Sequence, residues 1–250
     1  MKFGVITDIH GNAAALQAVL HELDSNSGIS HIFCLGDMIG IGPDTNEVLS
    51  ILFARDDISM LTGNHDEAVL ALRRGDPYPL SHAHVREHHQ WIAERLDERY
   101  INKLAKLPRV IHRTIDGLSV LFIHYHIEHD KLDRPISEDP FSPILQPSLD
   151  QLSSLFIDYA ADLVCFGHHH PIHHFKSDTT IYLNPGSLGC STAPTAPYAI
   201  LTIERGQIEV ECRHAVYDNS HFLASYELLQ VPDRQFIMQA FHGNQSHTKQ

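Results

Sequence analysis

Short apolar runs punctuate this chain, and amphipathic stretches fill the gaps between them. Residues 3–6, 31–35, 58–61, 118–123 and 163–166 are rich in Ile, Val, Leu and Phe, and each is followed closely by Gly, Asp, Asn or His. Runs of this length bounded by turn residues predict buried strands. After the first, Leu16, Val19, Leu20 and Leu23 keep the i, i+3, i+4, i+7 spacing of a core-facing helix, and Asn12 is placed to cap it. Strand, helix, strand in succession predicts a parallel pair. Val48, Leu49 and Leu52 give a second amphipathic helix before the run at 58–61.

From 67 to 106 the pattern is helical, with Val85, His88, Ile92 and Leu96 on one stripe, until Pro108 ends it. Residues 112–115 and 118–123 meet at Asp116-Gly117, a strong hairpin signal. Residues 125–147 contain Pro135, Pro140, Pro143 and Pro147 and have no period, which predicts a long loop covering a site. Ser148-Leu149-Asp150-Gln151 opens a helix with a capping box, and Leu152, Leu155, Phe156 and Tyr159 face inward from it. Residues 198–203 and 207–213, turned at Arg205-Gly206, alternate as an antiparallel hairpin with one exposed face, and a last helix covers 222–229. With no repeat or linker, one domain is expected over 1–250.

Composition alters this picture in one respect. At 43% hydrophobic and 20% charged residues the chain is globular, with no run long enough to cross a membrane. Its start lacks the apolar core of a signal peptide, so a cytoplasmic location is expected. Cys34, Cys165, Cys190 and Cys212 have no paired spacing and read as small buried apolar groups. Lys plus Arg is 18 against 31 Asp plus Glu, a net charge of -13, which argues against extended nucleic-acid binding and against an anionic membrane. Assembly with copies of itself stays open. The exception is 21 histidines.

Many of those histidines fall at strand ends. Asp8 and His10 follow the first strand, Asp37 the second, Asn64 and His65 the third, His124 the run at 118–123, and His168 and His170 the run at 163–166. Singly, Asp8 could be a loop carboxylate, Asn64 a turn residue, His124 a strand-end imidazole and 168–170 a solvated loop. In a largely parallel sheet, however, carboxyl ends converge on one rim. Two carboxylates, one amide oxygen and four imidazoles exceed what one tetrahedral metal needs, and they suit two ions bridged by a carboxylate and a water.

In order and interval, Asp8-x-His10, Gly36-Asp37, Gly63-Asn64-His65-Asp66, His124 and Gly167-His168-x-His170 resemble the motif set of the calcineurin-like metallophosphoesterases. The likeness covers about residues 1 to 215. The Asn184-Pro185-Gly186-Ser187 stretch and the segment 91–108 further resemble the bacterial phosphodiesterase-like branch. The resemblance implies an α/β fold, a four-layer α-β-β-α sandwich of two mixed sheets, with a helical cap at 66–106 and a lid loop at 125–147. It also implies one ion on Asp8, His10, Asp37 and His170, a second on Asp37, Asn64, His124 and His168, and Asp37 as the bridge. His65 stays off the metals, as the proton donor to the leaving oxygen. Catalysis would then rest on Asp37, Asn64 and His65, with in-line attack by a hydroxide between ions roughly 3.5 to 4 Å apart. Protonation of the leaving oxygen would contribute on the order of 10² to 10⁴. The mixed oxygen and nitrogen donors favour Mn first, with Fe, Zn, Ni or Mg as alternatives.

The substrate implied is a small phosphorylated compound, with a nucleotide-like diester as the first expectation. A phosphomonoesterase, a serine/threonine protein phosphatase and, from another class, a catalytically silent scaffold are the alternatives. The protein phosphatases carry Asp-Arg-Gly a few residues after Gly-Asp, where this chain has Ile39-Gly40-Ile41-Gly42, so both a phosphate-binding arginine and a carboxylate partner for the histidine are missing. Relatives usually have glycine after the strand-end histidine, whereas Tyr125-His126 stands here, making His126 a substrate contact or a rival ligand. His82, His84, His88 and His89 fall on one predicted helix, where His84 and His88 have zinc-pair spacing without a third ligand. His169, His173 and His174 read as solvated or lining the entrance. Arg73, Arg74, Lys131 and Arg134 are candidate phosphate contacts.

Overall fold

In the computed structural model, which describes residues 1–26 and 28–245, the first three apolar runs form strands β1 (Lys2–Ile6), β2 (Ile29–Cys34) and β3 (Ile58–Met60). They are mutually parallel, with Val5 opposite Phe33 and Cys34 opposite Met60. Helix α1 (Ala13–Ser25) connects the first two, capped by Asn12, whose side chain accepts from the Ala15 amide at 3.0 Å. Helix α2 (Thr45–Phe53) makes the next crossover and α3 (Asn64–Arg74) follows β3.

The predicted helical stripe over 67–106 is not one unit. Gly75 terminates α3 in a left-handed conformation, Pro77 and Pro79 interrupt the pattern, and a 3₁₀ turn spans Leu80–Val85. Helices α4 (Arg86–Arg95) and α5 (Glu98–Leu104) come after it. Ile92, Ala93, Leu96, Tyr100 and Leu104 pack into the cluster that holds α1 and α2, so these helices belong to an outer layer rather than to a cap. From this region, residues 81–89 reach the strand ends beside Asn64 and His65.

Strands β4 (Val110–Ile115) and β5 (Leu118–Ile123) form the expected hairpin. Asp116 and Gly117 both have positive φ, the type I′ geometry whose twist matches that of the strands. Helix α6 (Leu149–Leu155) is capped by Ser148, and β6 (Leu163–Cys165), β7 (His173–Lys176) and β8 (Ile181–Asn184) follow. The long hairpin is β9 (Thr195–Glu204) with β10 (Gln207–Val216), and two helices close the described chain, α7 (Ser220–Leu228) and α8 (Arg234–His242).

Strand order is β10-β9-β1-β2-β3 in one sheet and β4-β5-β6-β8-β7 in the other. Both sheets are mixed, as the resemblance implies. The β9–β10 hairpin joins β1 in the first sheet, and β5, β6 and β8 are parallel in the second. Period-2 patterning says which face is buried and nothing about which distant strand becomes a neighbour.

Phe33 stacks on Phe122 with ring centroids 3.7 Å apart, joining the inner faces of the two sheets. Burying each such ring is worth roughly 1.5–3 kcal/mol, and truncating Phe122 to alanine would cost about 3–5 kcal/mol. The outer face of the second sheet is covered by Leu152, Phe156 and Tyr159. The result is the four-layer sandwich with mixed sheets. The 125–147 loop is ordered: Tyr125, Ile127 and Ile136 are buried, and Ile127 bridges Phe141. Arg109 holds it, donating to the Leu132 and Arg134 carbonyls at 2.8 and 2.7 Å while pairing with Glu67. Among the described residues no helix is long and apolar enough to cross a membrane.

Candidate metal centre

All five strand ends converge. The first sheet delivers Asp8, His10, Asp37, Asn64 and His65, and the second delivers His124, His168 and His170, so the site straddles the seam between the sheets. The loops are tied together by their backbones: Asp8 donates to the Gly36 carbonyl at 3.0 Å, His10 to Asp37 at 2.9 Å, and Gly167 to His124 at 2.8 Å. Asp8, His10, Asp37 and His168 all have φ between 47 and 67. Left-handed backbone costs an ordinary residue on the order of 1–3 kcal/mol and persists where its surroundings over-determine it, typically at functional sites. Close approach does the rest. A Cβ on Gly63 would strike the Asp37 carboxylate, and one on Gly167 would strike Thr7 and the Asp8 carboxylate.

The donor atoms face one another. His124 Nε2 lies 3.2 Å from Asp37 Oδ2 and 3.0 Å from Asn64 Oδ1, while its Nδ1 is 2.8 Å from the Leu35 carbonyl. Donation from Nδ1 to that carbonyl orients the ring so that Nε2 faces the Asp37 and Asn64 oxygens. His10 Nε2 is 3.6 Å from Asp8 Oδ1, 3.9 Å from Asp37 Oδ2 and 3.1 Å from His170 Nε2. Asp8 Oδ1, His10 Nδ1 and His168 Nδ1 are buried with no hydrogen-bond partner. Buried carboxylates need compensating charge, and no Lys or Arg pairs with Asp8 or Asp37 among the ion pairs of the described residues. Two groups of donor atoms, Asp8-His10-Asp37 and Asp37-His124-His168, each fall within 4.8 Å, and they share Asp37. Divalent cations fit this donor set.

The titration behaviour has the same origin. Burial would raise Asp8 and Asp37, but His10, His124 and His170 around the first and His124 and His65 around the second outweigh it and hold both carboxyls low. Burial opposes charging His124, yet Asp37 beside it lifts its imidazole to about 9. Protons on His10 and His124 stand where cations are wanted. Burial and the neighbouring His124 push His168 down to about 3, and burial with His10 pushes His170 to about 4, leaving both as neutral donors.

Two hydrogen-bond chains reach the site from residues 78–89, and neither was visible in the sequence. In one, Tyr78 donates to the His82 carbonyl at 3.1 Å, its oxygen lies 2.8 Å from His89 Nδ1, and His89 Nε2 lies 2.8 Å from His65 Nδ1. In the other, Ser81 donates to Asp139 and stands 2.7 Å from His82 Nδ1, and His82 Nε2 is 2.8 Å from the Asn64 amide nitrogen. The His84–His88 pair does not form: His84 is exposed, and His88 points to the Pro232 carbonyl at 3.2 Å. Asp66, part of the third motif, accepts from Ile39 at 3.1 Å and Gly63 at 3.0 Å, clamping that turn to the loop after β2.

Other expectations are corrected. His126 bonds Ser142 at 2.8 Å and packs on Phe156 and Tyr159, outside both donor clusters, so it is not a rival ligand. Cys190, expected to be a bare apolar group, has its sulfur within 4.8 Å of nitrogens of His10 and His170. Arg73 and Arg74 pair with Glu98 and Asp76, and Arg134 with Glu138. Of the four basic candidates, only Lys131 lines a cavity with Asn64 and His168. His169 and His173 bond each other at 2.7 Å, the latter on β7.

The sequence profile of the calcineurin-like phosphoesterase superfamily domain matches residues 1–206. The chain belongs to that superfamily and is a phosphoester hydrolase. Its members use divalent metals, and the two clusters sharing Asp37 are where this chain could hold them. An uncharacterized protein of Methanocaldococcus jannaschii is 29% identical over 200 residues, 74% of this chain and 75% of that one. A metallophosphoesterase from Sphaerobacter thermophilus has the same fold, with a TM-score of 0.72 and 22% identity over 96% of this chain and 98% of that one. The symmetrical bis(5′-nucleosyl)-tetraphosphatase of Delftia acidovorans is 35% identical over 76 residues, which is 30% of this chain and 27% of that enzyme.

Proposed function

We propose that this protein is a two-metal phosphodiesterase acting on a small nucleotide-like substrate. Asp8, His10, Asp37 and His170 hold one ion, and Asp37, Asn64, His124 and His168 hold the other. The observation that carries this reading is the pair of donor clusters meeting at Asp37, together with the buried Asp8 Oδ1, His10 Nδ1 and His168 Nδ1, which have no hydrogen-bond partner. The partial likeness to a nucleosyl tetraphosphatase supports a nucleotide-like substrate. When bound, the ions supply Lewis-acid neutralisation of phosphoryl charge and lower the pKa of water at the site.

The chain's own residues set up the rest. His82 fixes the Asn64 amide by accepting from its nitrogen, which turns the amide oxygen towards His124 and the donor cluster. Tyr78 gives its proton to the His82 carbonyl, so its oxygen accepts from His89 Nδ1 and His89 Nε2 accepts from His65 Nδ1. That order leaves His65 Nε2 without a proton. Burial also holds His65 well below its ordinary pKa, against the pull of Asp37. To protonate the leaving oxygen as the general acid, His65 would therefore first take up a proton from solvent at Nε2. Every ligand position is filled, which supports the hydrolase over the scaffold alternative.

The test is turnover of bis(p-nitrophenyl) phosphate beside p-nitrophenyl phosphate, using metal-stripped protein with and without added Mn. Manganese-dependent diester cleavage that collapses in Asn64→Ala and His65→Ala is expected. Monoester cleavage alone would replace the diesterase with a phosphatase, and two bound ions without turnover would revive the scaffold.

A further inference from the structure

Residues 207–245 lie beyond the span that matches the family, and α8 within them walls a cavity of about 230 Å³ that reaches Asn64 and His65. The α8 side of it is apolar, formed by Phe236, Ile237 and Phe241. Phe236 is 58% exposed, an aromatic that the protein's own core does not use. Its ring meets that of Phe241 edge-on at 6.3 Å, and Phe241 in turn lies 5.5 Å from the His170 ring, so the apolar wall starts at the donor cluster itself. Ile41 and Val85 extend it. Among the described residues lining this cavity there is no Lys or Arg, and Asp233 is the one carboxylate.

A phosphate needs none of this. An apolar, aromatic wall beside a phosphoester site recognises a part of the substrate that is uncharged and flat, and ring faces prefer tilted or offset aromatic partners. The histidines along the cavity add donors and acceptors for the polar edge of such a ring. A second or third phosphate entering here would meet Asp233 and no cation. We propose that this cavity is the subsite for the nucleobase of the substrate, with Phe236 and Phe241 as its stacking surface, and that it selects a nucleoside monophosphate ester over a polyphosphate chain. The proposal rests on the hydrolase reading only for what sits at the donor-cluster end.

Competition and calorimetry test it. Adenosine 5′-monophosphate, ribose 5-phosphate and diadenosine tetraphosphate are titrated against bis(p-nitrophenyl) phosphate hydrolysis, and separately by calorimetry into Mn-loaded protein, for wild type, Phe236→Ala and Val85→Ala. The monophosphate with its base should bind about fivefold to tenfold better than ribose 5-phosphate. Phe236→Ala should bring that ratio close to one, and Val85→Ala part of the way. Equal wild-type affinities, or a ratio that survives Phe236→Ala, would overturn the subsite. Tighter binding of diadenosine tetraphosphate than of the monophosphate would overturn its selectivity. A base preference lost in Phe236→Ala without any hydrolysis would keep the subsite and remove the hydrolase, and hydrolysis without a base preference would do the reverse.

Discussion

His65 Nδ1 lies 2.8 Å from His89 Nε2, so the histidine beside the donor clusters leans on another neutral imidazole rather than on a carboxylate. Burial pushes His89 down to about 3, which keeps it an acceptor. A partner of this kind fixes which nitrogen of His65 carries the proton without charging the ring.

His89→Leu should therefore lower kcat by about 10- to 100-fold with KM changed much less, while His89→Gln, which keeps an acceptor, recovers part of the loss. Tyr78→Phe should shift the pH–rate profile in the same direction as His89→Leu. Steady-state kinetics across pH check this, and equal loss in the Leu and Gln variants would reduce His89 to a packing residue.

Removing His82 frees the Asn64 amide to rotate. His82→Ala is expected to weaken one of the two ions by about 10- to 100-fold and leave the other. Calorimetric titration with Mn resolves the two affinities, and a uniform loss of both would contradict this role.

Asp37 belongs to both donor clusters and His124 to one. Asp37→Ala should abolish the binding of two ions, whereas His124→Ala should retain one. In wild type, metal at about 100 times its Kd should stabilise the fold by roughly 2.7 kcal/mol per site, read as a rise in Tm. That rise should vanish in Asp37→Ala.

Gly63 leaves no room for a methyl group against Asp37. Gly63→Ala should remain folded, because the collision lies at the loop rather than in the core, and should lose metal uptake. Elemental analysis beside a thermal melt separates this from global unfolding.

His242 joins α8 to α7, 3.1 Å from the Tyr226 hydroxyl, and burial pushes its imidazole to about 4 from the ordinary 6.5. The folded pKa is the lower one, so the stability contribution is fully present above pH 6.5 and is lost as the pH falls towards 4. The full effect is on the order of 3 kcal/mol. Thermal melts over that window should fall more steeply for wild type than for His242→Gln, and parallel curves would contradict it.

The strand-end motifs were legible because each is local: an apolar run, a turn and a donor within a few residues. The four-layer sandwich came with the family resemblance that those motifs carry, not from the runs themselves. His82 and His89 were not legible, because a helical period read through Gly75, Pro77 and Pro79 merged four elements into one and hid which imidazoles turn towards Asn64 and His65. Those breakers were the available signal. Helix α8 could have been found from Pro232 followed by Ile237, Met238 and Phe241 at helical spacing. The placement of β9 beside β1, and of the Cys190 sulfur near His10, depends on contacts between residues far apart in the chain, which no local pattern encodes.

Four donor side chains come from one sheet and three from the other, across a seam otherwise held by apolar contact such as Phe33 on Phe122. Any cation gripped by Asp37 together with His124 and His168 is thus a clasp between the layers. Sliding one sheet past the other must break it, so loss of the ions should decouple the two sheets, and the loaded protein should unfold as a more cooperative unit than the stripped one.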